Sequence, residues 1–111
     1  MLIVDHARSA GEKIRISGGG RCNFTNLGAG PANFISGNPR FAISALSRYR
    51  PGDFVTLVER HEIAWHEKKL GQLFCDGSAR QIVEMMIAEM AFGDVTLRLG
   101  CPVGAVAHGP E

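Results

Sequence analysis

The chain has 111 residues, of which 45% are hydrophobic and 21% are charged, and its formal net charge is +1. These values are typical of one small globular domain, or of a piece of a larger one, and they exclude a disordered or membrane-spanning chain. The near-neutral charge argues against a nucleic-acid partner, because a strongly basic face would need compensation elsewhere.

Three cysteines stand far apart along the chain and form no C-x-x-C pair; they are Cys22, Cys75 and Cys101. An odd number of widely spaced cysteines is typical of a reduced protein rather than of a disulfide framework. The apolar start at residues 1–4 is too short for a signal peptide, and no later apolar run approaches membrane length. We therefore expect a cytoplasmic protein with no membrane partner.

The first predicted element is a strand over residues 2–5, Leu-Ile-Val-Asp. A continuous apolar run with β-branched residues suits a parallel strand that is buried on both faces. Asp5 ends this strand, at the place where dinucleotide-binding βαβ units carry an acid for the ribose hydroxyls, although many strands end in Asp simply as a turn former. The G-x-G-x-x-G turn that should precede such an acid is absent, because the chain starts at the strand.

Residues 6–15 are predicted to be a loop that carries three basic side chains, Arg8, Lys13 and Arg15. These charges suit a solvated face or a phosphate-binding face, and the pattern favours neither. The alternation of Ile14 and Ile16 about Arg15 predicts a short extended or 3₁₀ segment that leads into a glycine-rich stretch.

That stretch begins with Ser17 and continues through three consecutive glycines to Arg21 and Cys22. Consecutive glycines allow positive φ angles and a close approach of the backbone to a bulky group, and clustered N–H groups favour anions, phosphates above all. Arg21 adds a planar donor fork suited to phosphate or to stacking on a ring. The short polar side chains of residues 23–26 predict an irregular loop. The simpler alternative is a tight surface turn.

The remaining elements follow from periodicity and turn residues. Residues 28–39 are predicted to be irregular, residues 40–49 a helix, and Asp53 the cap of a second helix that ends near residue 61. Residues 63–67 and 72–75 are predicted to form a hairpin, and residues 79–92 the longest helix. Its expected inner face consists of Ile82, Val83, Met86, Ile87 and Met90, and we place the Met85-Met86 pair in the core. Two strands, residues 95–99 and 103–107, complete the prediction.

The candidate chemical groups form no recognisable catalytic arrangement. The histidines lack metal-ligand spacing, so no metal site is expected; they are His6, His61, His66 and His108. His66, between Trp65 and Glu67, is typical of a half-exposed strand side chain, with catalysis as the alternative. Arg21 and nearby amides would favour a Cys22 thiolate, but no His or Asp stands at a spacing that marks Cys22 as a nucleophile, so packing is the default. The catalytic residues stay unassigned.

The string GEKIRISGGGRCNFTN at residues 11–26 resembles the signature of a bacterial family of FAD-dependent oxidoreductases, called BaiN-like flavoproteins or the aminoacetone-oxidase family. Its pattern is G-[RE]-K-x-x-x-[ST]-G-G-G-R-C-N-x-[ST]-N. Later segments are also similar to the family: the helix at residues 54–61, the Trp-His-Glu strand, and Gly-Gln-Leu-Phe at residues 71–74. Many relatives have proline where this chain has Cys75. The resemblance covers essentially all 111 residues.

The resemblance implies an α/β fold, namely part of a two-dinucleotide-binding-fold flavoprotein in which a Rossmann-like FAD domain over residues 1–111 runs into an inserted region. It implies FAD as cofactor, NAD(P)H or oxygen as redox partner, and a small-molecule substrate. FAD is a dianionic pyrophosphate joined to a flat ring, so it needs close backbone donors and little side-chain bulk. The residues that would bind FAD are Asp5, Lys13, Ser17, Gly18, Gly19, Gly20, Arg21, Cys22 and Asn23.

Two parts of the family pattern are absent from the sequence: the first strand with its glycine turn, and the C-terminal segment that closes over the flavin. We therefore expect a fragment that does not hold FAD by itself. The competing hypothesis, from another functional class, is a truncated, non-catalytic α/β module that binds no flavin. The visible absorption spectrum distinguishes these hypotheses once the missing N-terminal unit is restored, because only the first then predicts flavin bands.

Overall fold

A parallel pair of strands joins the two ends of the chain. In the computed structural model, which describes residues 1–107, β1 (Leu2–Val4) pairs with β5 (Thr96–Arg98), with Leu2 opposite Thr96. The predicted parallel strand at the start of the chain is confirmed. Its predicted burial on both faces is wrong for the described residues, because β5 is the only strand that pairs with β1 there and Leu2 remains 53% exposed.

A short helix, α1 (Glu12–Ile16), interrupts the segment that was predicted to be a loop. Gly11 precedes it in the left-handed conformation, with φ of 65°, and a Cβ at Gly11 would lie 2.8 Å from the Val83 side chain. Packing of α1 against the later long helix thus stabilises a helix too short to be stable alone. A 3₁₀ turn, Ser17–Gly20, follows at once.

Three antiparallel strands form the second sheet, in the order β2, β4, β3. The predicted hairpin is confirmed: β3 (Trp65–Glu67) pairs with β4 (Gln72–Cys75), with Trp65 opposite Cys75. The irregular loop predicted for residues 23–26 is wrong, because β2 (Asn23–Asn26) pairs with the other edge of β4. That pairing joins residues about fifty positions apart, and local sequence patterns carry no signal for it.

Three further helices are α2 (Ile43–Arg48), α3 (Pro51–Arg60) and α4 (Arg80–Phe92). Helix α3 begins two residues before the predicted cap: Pro51 takes the first position, and the Arg50 N–H donates to Asp53 Oδ2 at 2.7 Å. A 3₁₀ turn, Pro31–Asn33, lies in the predicted irregular segment. The strand predicted over residues 103–107 is not formed.

The core lies between α3, α4 and the antiparallel sheet. Its largest fully buried side chains are Val58, Leu73, Cys75 and Met85. The inner face of α4 is rotated relative to the sequence prediction: Ile82, Val83 and Met85 are buried, whereas Met86 is 40% exposed. Within residues 1–107, no helix has the length and apolar character needed to cross a lipid bilayer.

Adjacent methionines allow a matched test of this rotation. Met85 is 1% exposed and Met86 is 40% exposed, so Met85→Ala should lower the free energy of unfolding by about 2–5 kcal/mol and Met86→Ala by less than about 1 kcal/mol. Urea unfolding followed by circular dichroism measures both. A larger loss for Met86→Ala would support the helix face predicted from the sequence.

Candidate functional site

The glycine-rich loop has the backbone conformation that its sequence predicts. The φ angles of Gly18, Gly19 and Gly20 are 57°, 65° and 85°, and Cys22 follows with φ of 52°. The Ser17 hydroxyl donates to the Ile14 carbonyl at 2.8 Å, which holds the start of the loop on α1. The three glycines are therefore required by backbone geometry.

Hydrogen bonds hold the far side of the loop on the corner between β4 and α4. The Cys75 N–H donates to the Arg21 carbonyl at 2.8 Å, and the Ala79 N–H donates to the Gly20 carbonyl at 2.7 Å. Arg21 Nη1 donates to the Asp76 carbonyl at 2.5 Å. This guanidinium, for which the sequence favoured a phosphate or ring contact, thus also fixes the corner.

The loop amides are only partly available to a ligand. The Arg21 N–H donates to the Gly18 carbonyl at 3.2 Å, and the Cys22 N–H donates to the Ser17 carbonyl at 3.0 Å. A Cβ at Gly18 would lie 2.8 Å from both the Asn23 nitrogen and the Phe74 ring, whereas a Cβ at Gly19 or Gly20 would meet no atom within 4 Å. Gly18 therefore serves packing, and the open side of the loop is at Gly19 and Gly20.

A cavity of about 340 Å³, termed here the apolar cleft, opens beside the loop. It brings together four residues predicted for the site, Lys13, Ser17, Cys22 and Asn23, with apolar side chains that sequence reasoning did not assign to it. The latter are Ile14, Phe24, Phe54, Ile82 and Met86. The Phe24 and Phe54 ring centroids lie 6.0 Å apart. Phe24 adjoins the glycine signature in sequence, but only the fold places α3 beside it.

A second cavity of about 330 Å³, termed the Asp5 hollow, lies at the carboxyl end of β1 and is also lined by Lys13 and Ile14. Asp5 Oδ1 accepts from the Ala7 N–H at 3.1 Å, and the Asp5 side chain is 40% exposed. Lys13 therefore stands between the two cavities. The predicted residues therefore form two groups, because Gly18, Gly19, Gly20 and Arg21 line neither cavity.

An imidazole–carboxylate pair lies on the other side of the loop. His66 Nδ1 is 2.5 Å from Asp76 Oδ1, and the His66 ring stacks on Phe74 at a centroid distance of 6.2 Å. Lys68 Nζ lies 4.4 Å from the centroid of the same Phe74 ring. Sequence reasoning did not pair His66 with Asp76, although the register of the β3–β4 hairpin would have indicated their proximity.

Of the other histidines, His6 lines the Asp5 hollow, where its Nδ1 lies 3.5 Å from Asp5 Oδ1. His61 Nε2 lies 2.9 Å from Glu89 Oε1 and so connects α3 with α4. His108 is outside the described residues. Within residues 1–107, His, Cys, Asp and Glu side chains form no group of three or more that could hold a metal ion.

The two buried thiols belong to the core. Cys22 and Cys75 are 5% and 0% exposed, and Cys101 is more accessible. Burial, reinforced by Cys22 and Asp76, raises the pKa of the Cys75 thiol to about 11. Cys75 therefore stays a neutral thiol near pH 7, which suits packing rather than nucleophilic chemistry.

A family model described as the HI0933-like protein Rossmann domain matches residues 1–111. The chain belongs to this family. Its fold is a Rossmann-like α/β fold, and the resemblance to a flavoprotein-like, dinucleotide-binding family is confirmed at that level.

Two relatives of this HI0933-like chain are both named ribosomal RNA dihydrouridine synthase. The protein of Escherichia coli K12 is 54% identical over 107 residues, which are 96% of this chain and 27% of the relative. The protein of Haemophilus influenzae is 54% identical over 89 residues, which are 80% of this chain and 22% of the relative. The chain thus spans about a quarter of each relative's length.

These names differ from the subfamily that the sequence resembled, since neither relative is named an aminoacetone oxidase. The same names also concern the predicted absence of a nucleic-acid partner. The prediction of no nucleic-acid partner rested on net charge alone, and both names refer to ribosomal RNA.

Gly18 and Gly19 differ in surroundings but share a positive φ, so alanine at each tests the packing role of Gly18. Both variants should lose about 1–2 kcal/mol of unfolding free energy through backbone strain. Gly18→Ala should lose about 1–3 kcal/mol more, because its methyl group meets the Asn23 backbone and the Phe74 ring. Equal losses in chemical denaturation would show that the loop does not pack on Phe74.

The raised pKa of Cys75 makes stability depend on pH in the alkaline range. Folding raises the pKa of the Cys75 thiol from 9.0 to about 11. The contribution of this thiol to the free energy of unfolding is therefore fully present below pH 9 and is lost as the pH rises toward 11. Between these pH values, the free energy of unfolding should fall less with rising pH in Cys75→Ala than in Cys101→Ala. Equal slopes would contradict the assignment.

Proposed function

We propose that this HI0933-like chain binds FAD and forms part of a flavin-dependent reductase that converts uridine to dihydrouridine in ribosomal RNA. The structural observation that supports it is the adjacency of the apolar cleft and the Asp5 hollow, which share Lys13 and Ile14. The support for the RNA substrate is the name of the two relatives, with which the chain shares 54% identity.

The residues around the two cavities fit the chemistry of FAD. The Asp5 carboxylate, partly exposed at the carboxyl end of β1, suits the ribose hydroxyls. The ammonium group of Lys13, between the cavities, suits the pyrophosphate charge. The Phe24 and Phe54 side chains provide the apolar surroundings that a flat ring requires. The open backbone at Gly19 and Gly20 permits further close approach.

The proposed reaction adds two hydrogen atoms across the C5–C6 double bond of uracil. Bound FAD would supply the redox chemistry, with NAD(P)H as the source of electrons. The chain's own residues would act by binding and by excluding water: Asp5 and Lys13 hold polar parts of the cofactor, and the apolar cleft keeps solvent from the ring. The three free cysteines favour a reducing compartment such as the cytoplasm.

The activity is tested in a chimera in which this chain replaces the matching segment of the E. coli relative. The purified chimera should show the visible absorption of flavin. With NAD(P)H and ribosomal RNA that lacks dihydrouridine, it should produce a uridine that has gained two hydrogen atoms, detected by mass spectrometry. A flavin-loaded chimera that oxidises small amines and leaves the RNA unchanged would refute the proposed substrate and favour the aminoacetone-oxidase alternative.

Two substitutions test the cofactor site in the same chimera. Asp5→Ala should weaken FAD binding by about 1–3 kcal/mol, because the ribose hydroxyls would lose their carboxylate acceptor. Asp5→Glu is the matched control and should be tolerated. Gly19→Val should lose flavin because its side chain enters the open space beside the loop, whereas the backbone strain at its positive φ should leave the fold largely intact. Unchanged flavin content in Asp5→Ala and Gly19→Val would refute these roles.

A further inference from the structure

The small net charge conceals an uneven distribution. Residues 1–60 contain eight Lys or Arg and four Asp or Glu, whereas residues 61–111 contain four Lys or Arg and seven Asp or Glu. From residue 22 to residue 52 the chain has three arginines and no acid. The acids that compensate for these arginines therefore lie in other parts of the sequence.

The basic residues gather at a groove beside helices α2 and α3. One cavity of about 450 Å³ is lined by Arg48, Tyr49 and Arg60 together with residues of α3. A second, of about 550 Å³, includes Arg50 and extends to the loop before α2. Asp53 lines both cavities. We define this groove, by Arg48, Tyr49, Arg50 and Arg60, as the arginine trough.

The guanidinium groups of the trough are not engaged within the described part of the chain. The side chains of Arg48, Arg50 and Arg60 are exposed and form no hydrogen bond or ion pair with any of residues 1–107. Arg21, in contrast, donates to a carbonyl of the β4–α4 corner. Asp53, which lines both cavities, accepts the Arg50 N–H at 2.7 Å through one carboxylate oxygen and adds one negative charge beside the three arginines. Three planar donor forks are therefore available to an external anion.

An exposed aromatic ring accompanies these arginines. Tyr49, between Arg48 and Arg50, is 52% exposed. Cationic side chains along a groove with an interleaved aromatic ring match the way proteins bind flexible single-stranded nucleic acid, through phosphate contacts and base stacking. An anionic lipid surface would not need a concave groove or a ring standing among the arginines.

The trough adjoins the candidate cofactor site through a single helix. Along α3, Asp53 and Arg60 line the trough, while Phe54 lines the apolar cleft. A single nucleic-acid strand bound in the trough would therefore run beside the apolar cleft. This arrangement suits an enzyme that must bring one base of a long polymer to a buried reaction centre.

We propose that the arginine trough binds single-stranded RNA, with backbone phosphates on Arg48, Arg50 and Arg60 and a base stacked on Tyr49. The choice of ribosomal RNA as the natural polymer rests on the proposed function, whereas the basic and aromatic chemistry of the groove rests on the structure alone.

The test measures binding of a fluorescein-labelled, uridine-containing RNA twelve nucleotides long, of the order of one site size, by fluorescence anisotropy across a range of salt concentrations. The variant is Arg48→Gln, Arg50→Gln and Arg60→Gln combined, in the full chain. It should bind at least about tenfold more weakly, and its log–log salt slope should be shallower by about 2, since each lost contact with a single strand removes about 0.7. Tyr49→Ala should weaken binding about tenfold with the slope unchanged, and Tyr49→Phe should bind normally.

A matched control removes the same charge elsewhere. This control variant combines three substitutions of exposed residues outside the trough, Lys69→Gln, Arg80→Gln and Arg98→Gln. It should retain both the affinity for the RNA and the salt slope. Ser47→Glu with Thr56→Glu adds negative charge to the trough without removing an arginine, and should also weaken binding. Circular dichroism checks the fold of each variant, and the glutamate pair decides the question should the triple arginine variant not fold.

Equal weakening in the trough variant and the control would overturn the proposal, because net charge alone would then explain binding. Binding to phosphatidylglycerol vesicles with none to RNA would also overturn it. In the chimera, the trough variant should raise the KM for ribosomal RNA with flavin content unchanged. An unchanged KM refutes the trough while the proposed function stands. RNA binding by a chimera that never forms dihydrouridine refutes the function while the trough stands.

Discussion

The attachment of the glycine-rich loop to the β4–α4 corner is the constraint around which the candidate site is built. Two backbone hydrogen bonds, from Cys75 to Arg21 and from Ala79 to Gly20, join segments that are more than fifty residues apart in sequence. Cys22 then enters the core beside Cys75. Because these contacts are buried or made by backbone groups, the loop has a fixed path, and both the position of α1 and the opening of the apolar cleft follow from it.

This attachment also assigns different tasks to residues that look equivalent in the sequence. Gly18 is enclosed by Asn23 and Phe74, whereas Gly19 and Gly20 face open space. Arg21 follows the same glycine run, yet its guanidinium reaches the Asp76 carbonyl. A motif associated with cofactor binding thus combines a structural half, which holds the loop on the sheet, with a half that is open to a ligand.

Helix α3 connects the two surfaces to which we assign function. Its first turn is stabilised by the Asp53 carboxylate, which accepts the Arg50 N–H. The Asp53 carboxylate also lines the arginine trough, where its charge offsets one of the three guanidinium charges. The same helix contributes Phe54 to the apolar cleft and Val58 to the core. Binding of a polymer in the trough and of a flat ring in the cleft would thus share one rigid element.

The sequence by itself determined the local features: the positive φ angles of the glycine loop, the β3–β4 hairpin, the long helix α4 and the family signature at residues 11–26. Each depends on neighbouring residues, through turn chemistry, periodicity or backbone freedom. Only the tertiary structure decided that residues 23–26 form a strand on β4, that Met85 rather than Met86 faces the core, and that Phe54 lies beside Phe24. It also decided that Arg48, Arg50 and Arg60 share one groove despite a net charge of +1. These features arise from contacts between distant segments, whose free energy depends on packing in three dimensions and leaves no periodic trace in the chain.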